Sequence, residues 1–269
     1  MSKFLINNKK LILFFLIIIC TISFIDTFRK GMLNGCDFQW QPSVLFWQGI
    51  NHYEKFILNG NWDFMCQGGQ YSQIFHVILY PFTLFDWETA KLLWVIVNSC
   101  LAFVITVVLC KNFNISKYKT ILLILIFLTC YPTRMTINYG QQSLFVLFFL
   151  ILPFIYRSNL AVFFSGLSII KYSTGYVLFL DFIVKKQWKN FFLSSTLYLL
   201  GWAIYFLYTN SNPIVNFFEP IEWSLQHGYR RDADIYSLLQ IYFLDENKIL
   251  KYISIIFIFV INILFLIKI

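Results

Sequence analysis

The sequence is poor in charge: Asp, Glu, Lys and Arg make up 13% of its 269 residues, against about 25% in an average soluble domain. That leaves too little polar surface to wrap the chain, which excludes a soluble monomer. Glycine and proline are also scarce, 11 and 6. No fixed-period repeat or polar low-complexity tract occurs, which removes collagen-like, solenoid and disordered readings. His52, His76 and His227 are isolated, and no metal-ligand spacing is present. A glycine-rich phosphate loop is also missing, so the sequence requires no cofactor.

What abounds is apolar. Hydrophobic residues reach 59% and aromatic ones 21%, with 32 Phe, 16 Tyr and 8 Trp, a composition that needs hydrocarbon as a second solvent. The net charge is +8, yet the basic residues are scattered between apolar runs and form no stripe, so nucleic acid is not an expected partner. Lys3, Lys9 and Lys10 precede an apolar run over 11–25. Only a poor cleavage-site match, Thr21-Ile22-Ser23, stands before Asp26, Arg29 and Lys30, so the first helix reads as retained. Similar runs cover 89–110, 118–133, 135–156, 158–170, 172–184, 190–208 and 252–267.

These give eight candidate spans in an all-α transmembrane bundle, a single integral membrane domain over 1–269. Several are shorter than the roughly 20 residues of a perpendicular helix, which implies bilayer thinning or burial in the bundle. The stretch 158–184 is read as two short helices with Lys171 at the outer tip, because one crossing would send Lys185, Lys186 and Lys189 outside. With both termini cytoplasmic, eleven of the 21 basic residues and one of the 13 acidic ones fall inside. The inside then carries +10 and the outside −2, in the sense of the positive-inside rule. Two outer loops, 26–88 and 210–251, are too long to be plain connectors. Aromatic stretches over 38–58 and 70–85 are expected as interfacial helices in the headgroup layer, with any chemistry on the outer face.

Few polar groups suit a site. Asp37 lies in Gly35-Cys36-Asp37-Phe38-Gln39-Trp40, where partial burial at the membrane surface favours a general base; a solvated loop aspartate fits the same spacing. Arg134 and Lys171 flank spans at the outer boundary. The phosphate of a lipid carrier is a fitting partner for both, and snorkelling to headgroups accounts for them equally. Gly140-Gln141-Gln142 follows Asn138 and Tyr139; its amides suit hydroxyl binding or a polar helix entrance. Cys20, Cys100, Cys110 and Cys130 read as small apolar groups, whereas Cys36 and Cys66 share the first loop, where an oxidising compartment permits a disulfide.

Taken together, these residues resemble glycosyltransferase family 87, polytopic enzymes of the GT-C type. The likeness lies in three patches. The first is Asp37-Phe38, Trp47, Tyr53, Asn59-Gly60, Tyr71 and Tyr80-Pro81; the second is Pro132 with Tyr139-Gly140-Gln141-Gln142-Ser143-Leu144; the third is Ser165-Gly166 to Lys171, then Lys185-Lys186-Gln187-Trp188. It spans 1–210, more weakly 234–238. Tyr172 stands where the family usually has proline and Ser143 where asparagine is more usual, and the family's greater length is consistent with a short variant or with a chain lacking part of the acceptor site. The resemblance implies an inverting hexosyltransferase, mannosyltransferase-like, in a bacterial cytoplasmic membrane. A sugar would pass from a polyprenyl-phosphate donor to a lipid or glycan hydroxyl on the outer face. Asp37 would be the base, Lys171 and Arg134 would bind the donor phosphate, and Gln141, Tyr71 and Tyr139 would bind substrate. The rival class, a transporter or assembly subunit, predicts polar groups lining a pathway, for which only Asn98, Ser195 and Thr196 offer themselves.

Overall fold

In the computed structural model, residues 9–54, 71–227 and 260 are described, and all regular structure among them is helical. The first helix, α1 (Lys9–Leu33), is 25 residues long. It continues past the apolar run because Lys30 pairs with Asp26 one turn back at 2.8 Å and Arg134 reaches the same carboxylate at 3.1 Å. Charges that mark a loop in the sequence are thus spent within and beside the helix, and the first loop starts after Leu33 rather than at Asp26. Short helices α2 (Trp40–Trp47), α3 (Gln73–Ile78) and α4 (Tyr80–Thr83) follow. Then comes α5 (Trp87–Asn112), opened by Asp86, whose side chain accepts from the Thr89 amide at 2.9 Å, an N-cap that satisfies an otherwise orphaned donor.

Next are α6 (Lys117–Thr129) and α7 (Tyr131–Tyr139), set at 53° to each other across Cys130. Cys130 has extended backbone, ψ 148°, and Pro132 in the first turn of α7 fits because its missing N–H has no helical partner there. The chain continues through α8 (Ser143–Tyr156), α9 (Asn159–Ser165), a 3₁₀ helix (Gly166–Ile170), α10 (Tyr172–Val184), α11 (Trp188–Thr209) and α12 (Pro213–His227). Among the described residues, two helices are long and apolar enough to cross a membrane, Trp87–Asn112 and Trp188–Thr209, and the bent pair α6–α7 makes a third when counted as one span. The expected run 135–156 is split at Gly140, which caps α7 in the left-handed region at φ +70°, where glycine carries no Cβ penalty. Span 252–267 lies outside the described residues except for residue 260.

The stretch 158–184 does break at Lys171, as expected. The chain doubles back there, since a Cβ on Gly175 would collide with the carbonyl of Ser168, seven residues earlier. Both arms rest on α11, where Gly166 meets the main chain at Ser194. One core unites Phe38, Tyr71, Phe75, Trp94, Val146 and Ile170; a second packs Val95, Ala102, Ile105 and Ile137 against Phe24 and Phe28 of α1. The aromatic stretches expected in the headgroup layer are buried instead: Phe38 and Phe75 lie in the first core and Phe46 and Tyr53 pack with Tyr205 in a third, all 0% exposed. Their short helices bury rings against α5 and α11, which removes more apolar area from water than a half-immersed position would. The outward faces carry Phe14, Ile19, Ile22 and Ile25 on α1 and Phe192, Leu199 and Leu207 on α11, rows suited to hydrocarbon.

Candidate functional site

Asp37 sits in a turn pinned to the end of α7. The turn needs Gly35 at φ +53°. The Gly35 amide donates to the Asn138 carbonyl at 3.1 Å and the Asp37 amide to the Tyr139 carbonyl at 2.8 Å, so the turn satisfies two carbonyls that the helix end leaves open. The Asn34 side chain adds a bond to Asn138 at 2.6 Å. The fit is close, for a Cβ on Gly140 would lie 3.0 Å from that of Phe38. Trp94 fastens the junction from α5, its indole N–H donating to the Gly140 carbonyl at 2.8 Å.

The half-buried Asp37 carboxylate accepts from the Tyr71 hydroxyl, 2.8 Å to Oδ2. Its main-chain carbonyl accepts from the Gln142 side chain at 2.7 Å and from Gln39 at 3.3 Å. Tyr71 in turn is tied on two sides. Its carbonyl accepts from the Tyr53 hydroxyl at 2.6 Å, and the following amide, Ser72, donates to the Ile170 carbonyl at 3.1 Å. Ile170 precedes Lys171, which is half-buried and whose carbonyl opens α10 by accepting from Thr174 and Gly175. A short path of main chain and one phenol therefore runs from the carboxylate to the Ile170 main chain, one residue before Lys171.

The residues expected at a site fall into two groups. Asp37, Tyr71, Tyr139 and the Gly140-Gln141-Gln142 step meet at one junction, and Lys171 joins it through Ile170 and Ser72. Arg134 instead faces α1, with Nε on the Thr27 hydroxyl at 3.0 Å and the guanidinium on Asp26 at 3.1 Å. Gln141 and the Tyr139 ring are partly exposed, whereas Gln142, which the sequence does not distinguish from Gln141, is fully buried and makes the contact to Asp37. Lys91 was also missed. It is 4% exposed, pairs with Glu88 at 2.9 Å, lies 5.2 Å over the Trp87 ring and lays its stem against Gly35. Its position one turn inside an apolar helix, next to Glu88, is the available signal. Cys36 is half-buried beside Asp37; its expected partner Cys66 lies outside the described residues.

A second polar cluster is buried between α2, α3, α11 and α12. Tyr205 bonds His52 Nδ1 at 2.6 Å, Ser43 bonds His76 Nδ1 at 3.1 Å, and the two imidazoles stand 4.3 Å apart edge to face. Burial holds both neutral: it pushes His52 well below the usual imidazole range and His76 down to about 3. Glu219 of α12 accepts from Asn51 at 3.0 Å and Asn216 at 3.0 Å. The polar groups that a transport pathway would use are engaged within their own helices. Asn98 donates to Trp94, Ser195 to Phe191 and Thr196 to Phe192, each one turn back. No group of three or more His, Cys, Asp or Glu able to hold a metal occurs among the described residues.

The family model for Glycosyltransferase family 87 matches residues 70–266. Tyr71, the Gly140-Gln141-Gln142 step and the Lys171 hairpin lie inside that match; Asp37 and its turn lie before it. No curated protein and no solved structure matches the chain.

Proposed function

We infer the function from one premise: the chain belongs to glycosyltransferase family 87, and is a membrane glycosyltransferase. The proposed reaction is inverting transfer of a hexose, mannose-like, from a polyprenyl phosphate to a hydroxyl of a lipid or glycan acceptor on the outer face of a bacterial cytoplasmic membrane. The acceptor oxygen attacks the anomeric carbon opposite the phosphate. The bond from that carbon to the phosphate oxygen breaks, and its electron pair leaves with the polyprenyl phosphate. Asp37 takes the acceptor proton, which makes the oxygen a competent nucleophile as the new bond forms. Lys171 supplies positive charge for the leaving phosphate, an interaction that strengthens as charge develops on it. Gln141 and the Tyr139 hydroxyl serve sugar or acceptor hydroxyls. Arg134 is assigned to the same phosphate, in exchange for its bond to Asp26.

The observation that supports this reading most is the path from the Asp37 carboxylate through Tyr71 and Ser72 to Ile170, next to Lys171. A base and a phosphate-binding cation have to face one substrate, and this connection ties the two segments that carry them. In membranes carrying the Asp37→Asn protein, transfer from a labelled polyprenyl-phosphate sugar is expected to fall about 10² to 10⁴-fold, the usual span of general-base contributions, with donor retention unchanged. Transfer at the wild-type rate would remove Asp37 from the mechanism.

A further inference from the structure

Tyr71 is 1% exposed, so its phenol is not presented to a sugar. What it does instead is visible at both ends of the residue. The hydroxyl donates to Asp37 Oδ2 at 2.8 Å, while the Tyr71 carbonyl is held by Tyr53 at 2.6 Å and the next amide by Ile170 at 3.1 Å. The ring is wedged beside Phe75 at 5.7 Å within the central core. An aspartate carboxylate turns about a broad, two-fold torsion, so a fixed donor on one oxygen decides how the other faces. A donor carried on an anchored main chain does this better than one on a loop, because little freedom is lost at the moment of reaction.

We propose that Tyr71 is a positioning residue for the transfer reaction: it orients the Asp37 carboxylate and, through Ser72 on Ile170, keeps that carboxylate in register with Lys171. The proposal rests on Asp37 being the base. It also differs from direct substrate binding by Tyr71 in what a substitution does to the kinetics. Loss of a binding contact raises KM, whereas loss of orientation lowers kcat at nearly constant KM.

The experiment uses the full chain in membranes and labelled polyprenyl-phosphate sugars. Tyr71→Phe keeps the ring and its packing and removes only the hydroxyl. The expected result is a kcat lower by about 10 to 100-fold, the scale of a misplaced reacting group, with donor KM within about two-fold. Tyr208→Phe serves as the control for loss of a tyrosine hydroxyl. It removes a bond to the Trp47 main chain at 3.2 Å and leaves Tyr71, its anchors and Asp37 in place, and its kcat is expected to stay within about three-fold of wild type. An unchanged kcat in Tyr71→Phe, a raised donor KM at constant kcat, or equal kcat losses in both variants would each overturn the positioning role. Asp37→Asn is run alongside. Wild-type transfer by that variant overturns the base and the positioning role together, whereas its loss beside an unaltered Tyr71→Phe overturns the positioning role alone.

Discussion

The Gln142 side-chain amide donates to the Asp37 main-chain carbonyl at 2.7 Å, joining residues 105 apart in sequence. Gln142 is fully buried, and its loss leaves the carbonyl with only the longer bond from Gln39 at 3.3 Å. Gln142→Leu is expected to lower stability by about 1 to 3 kcal/mol, the cost of a buried group left unsatisfied, and to reduce transfer. Gln141→Leu, at a half-buried position, is expected to change stability by less than about 0.5 kcal/mol and to raise the KM for acceptor. Thermal unfolding in detergent with steady-state kinetics on both proteins separates the two.

Gly140 combines φ +70° with a close neighbour: a Cβ added there would lie 3.0 Å from the Phe38 Cβ. Gly140→Ala is expected to cost about 1 to 2 kcal/mol for the left-handed backbone alone, and the displaced Phe38 carries the Asp37 turn with it. Reduced stability together with reduced transfer is the outcome to look for. An alanine protein as stable and active as wild type would show that the turn tolerates a different register.

Lys171 stands at the hairpin tip. Its replacement by alanine is expected to weaken retention of a labelled polyprenyl-phosphate sugar by about 10 to 100-fold, the worth of roughly one charge-assisted hydrogen bond, and Lys171→Arg to restore most of it. Arg134→Gln tests whether the guanidinium leaves Asp26 for the donor. A half-exposed ion pair is itself worth only about 1 kcal/mol or less, so weakened retention without loss of stability would mark a donor contact.

Acid should loosen the protein through His52 and His76. Both are held neutral by burial, His76 down to about 3 from an ordinary 6.5, so the unfolded chain binds more protons once the pH drops below that ordinary value. Stability is then constant above about pH 6.5 and falls below it, by at most about 1.4 kcal/mol per pH unit for each imidazole. His76→Gln is expected to flatten that decline in a series of thermal unfolding measurements between pH 7 and 4.

Hydrophobic runs announced the long helices well. The segments 89–110 and 190–208 reappear as Trp87–Asn112 and Trp188–Thr209, and Lys171 broke the stretch between them where a buried charge would be costly. Charge misled at the other breaks. Asp26, Arg29 and Lys30 read as a loop, yet they belong to α1, where Lys30 and Arg134 both pair with Asp26 Oδ2. Arg134 read as a span end, yet the chain turns at Cys130 and Gly140, one by an extended backbone and one by a left-handed one. Neither is visible in hydropathy. Of the candidate site, Asp37 and Gly140-Gln141-Gln142 stand out by residue type, whereas Tyr71 and Tyr139 enter as substrate-binding candidates only through the family resemblance. Which glutamine turns inward, and that Tyr71 serves Asp37 from a buried position, depend on contacts between residues about 30 to 100 apart, which no local pattern encodes.

The small residues of α11 and its partners bear on how a lipid arrives. A Cβ on Gly201 would collide with Ile74 of α3, and one on Gly166 with the main chain at Ser194, so the helices touch there backbone to backbone. That seam has no doorway. A long acyl or isoprenoid chain cannot slip sideways between α11 and α3 at Gly201, nor between α11 and the hairpin at Gly166. In the proposed reaction, the donor's path toward Asp37 and Lys171 then opens on another flank of the bundle.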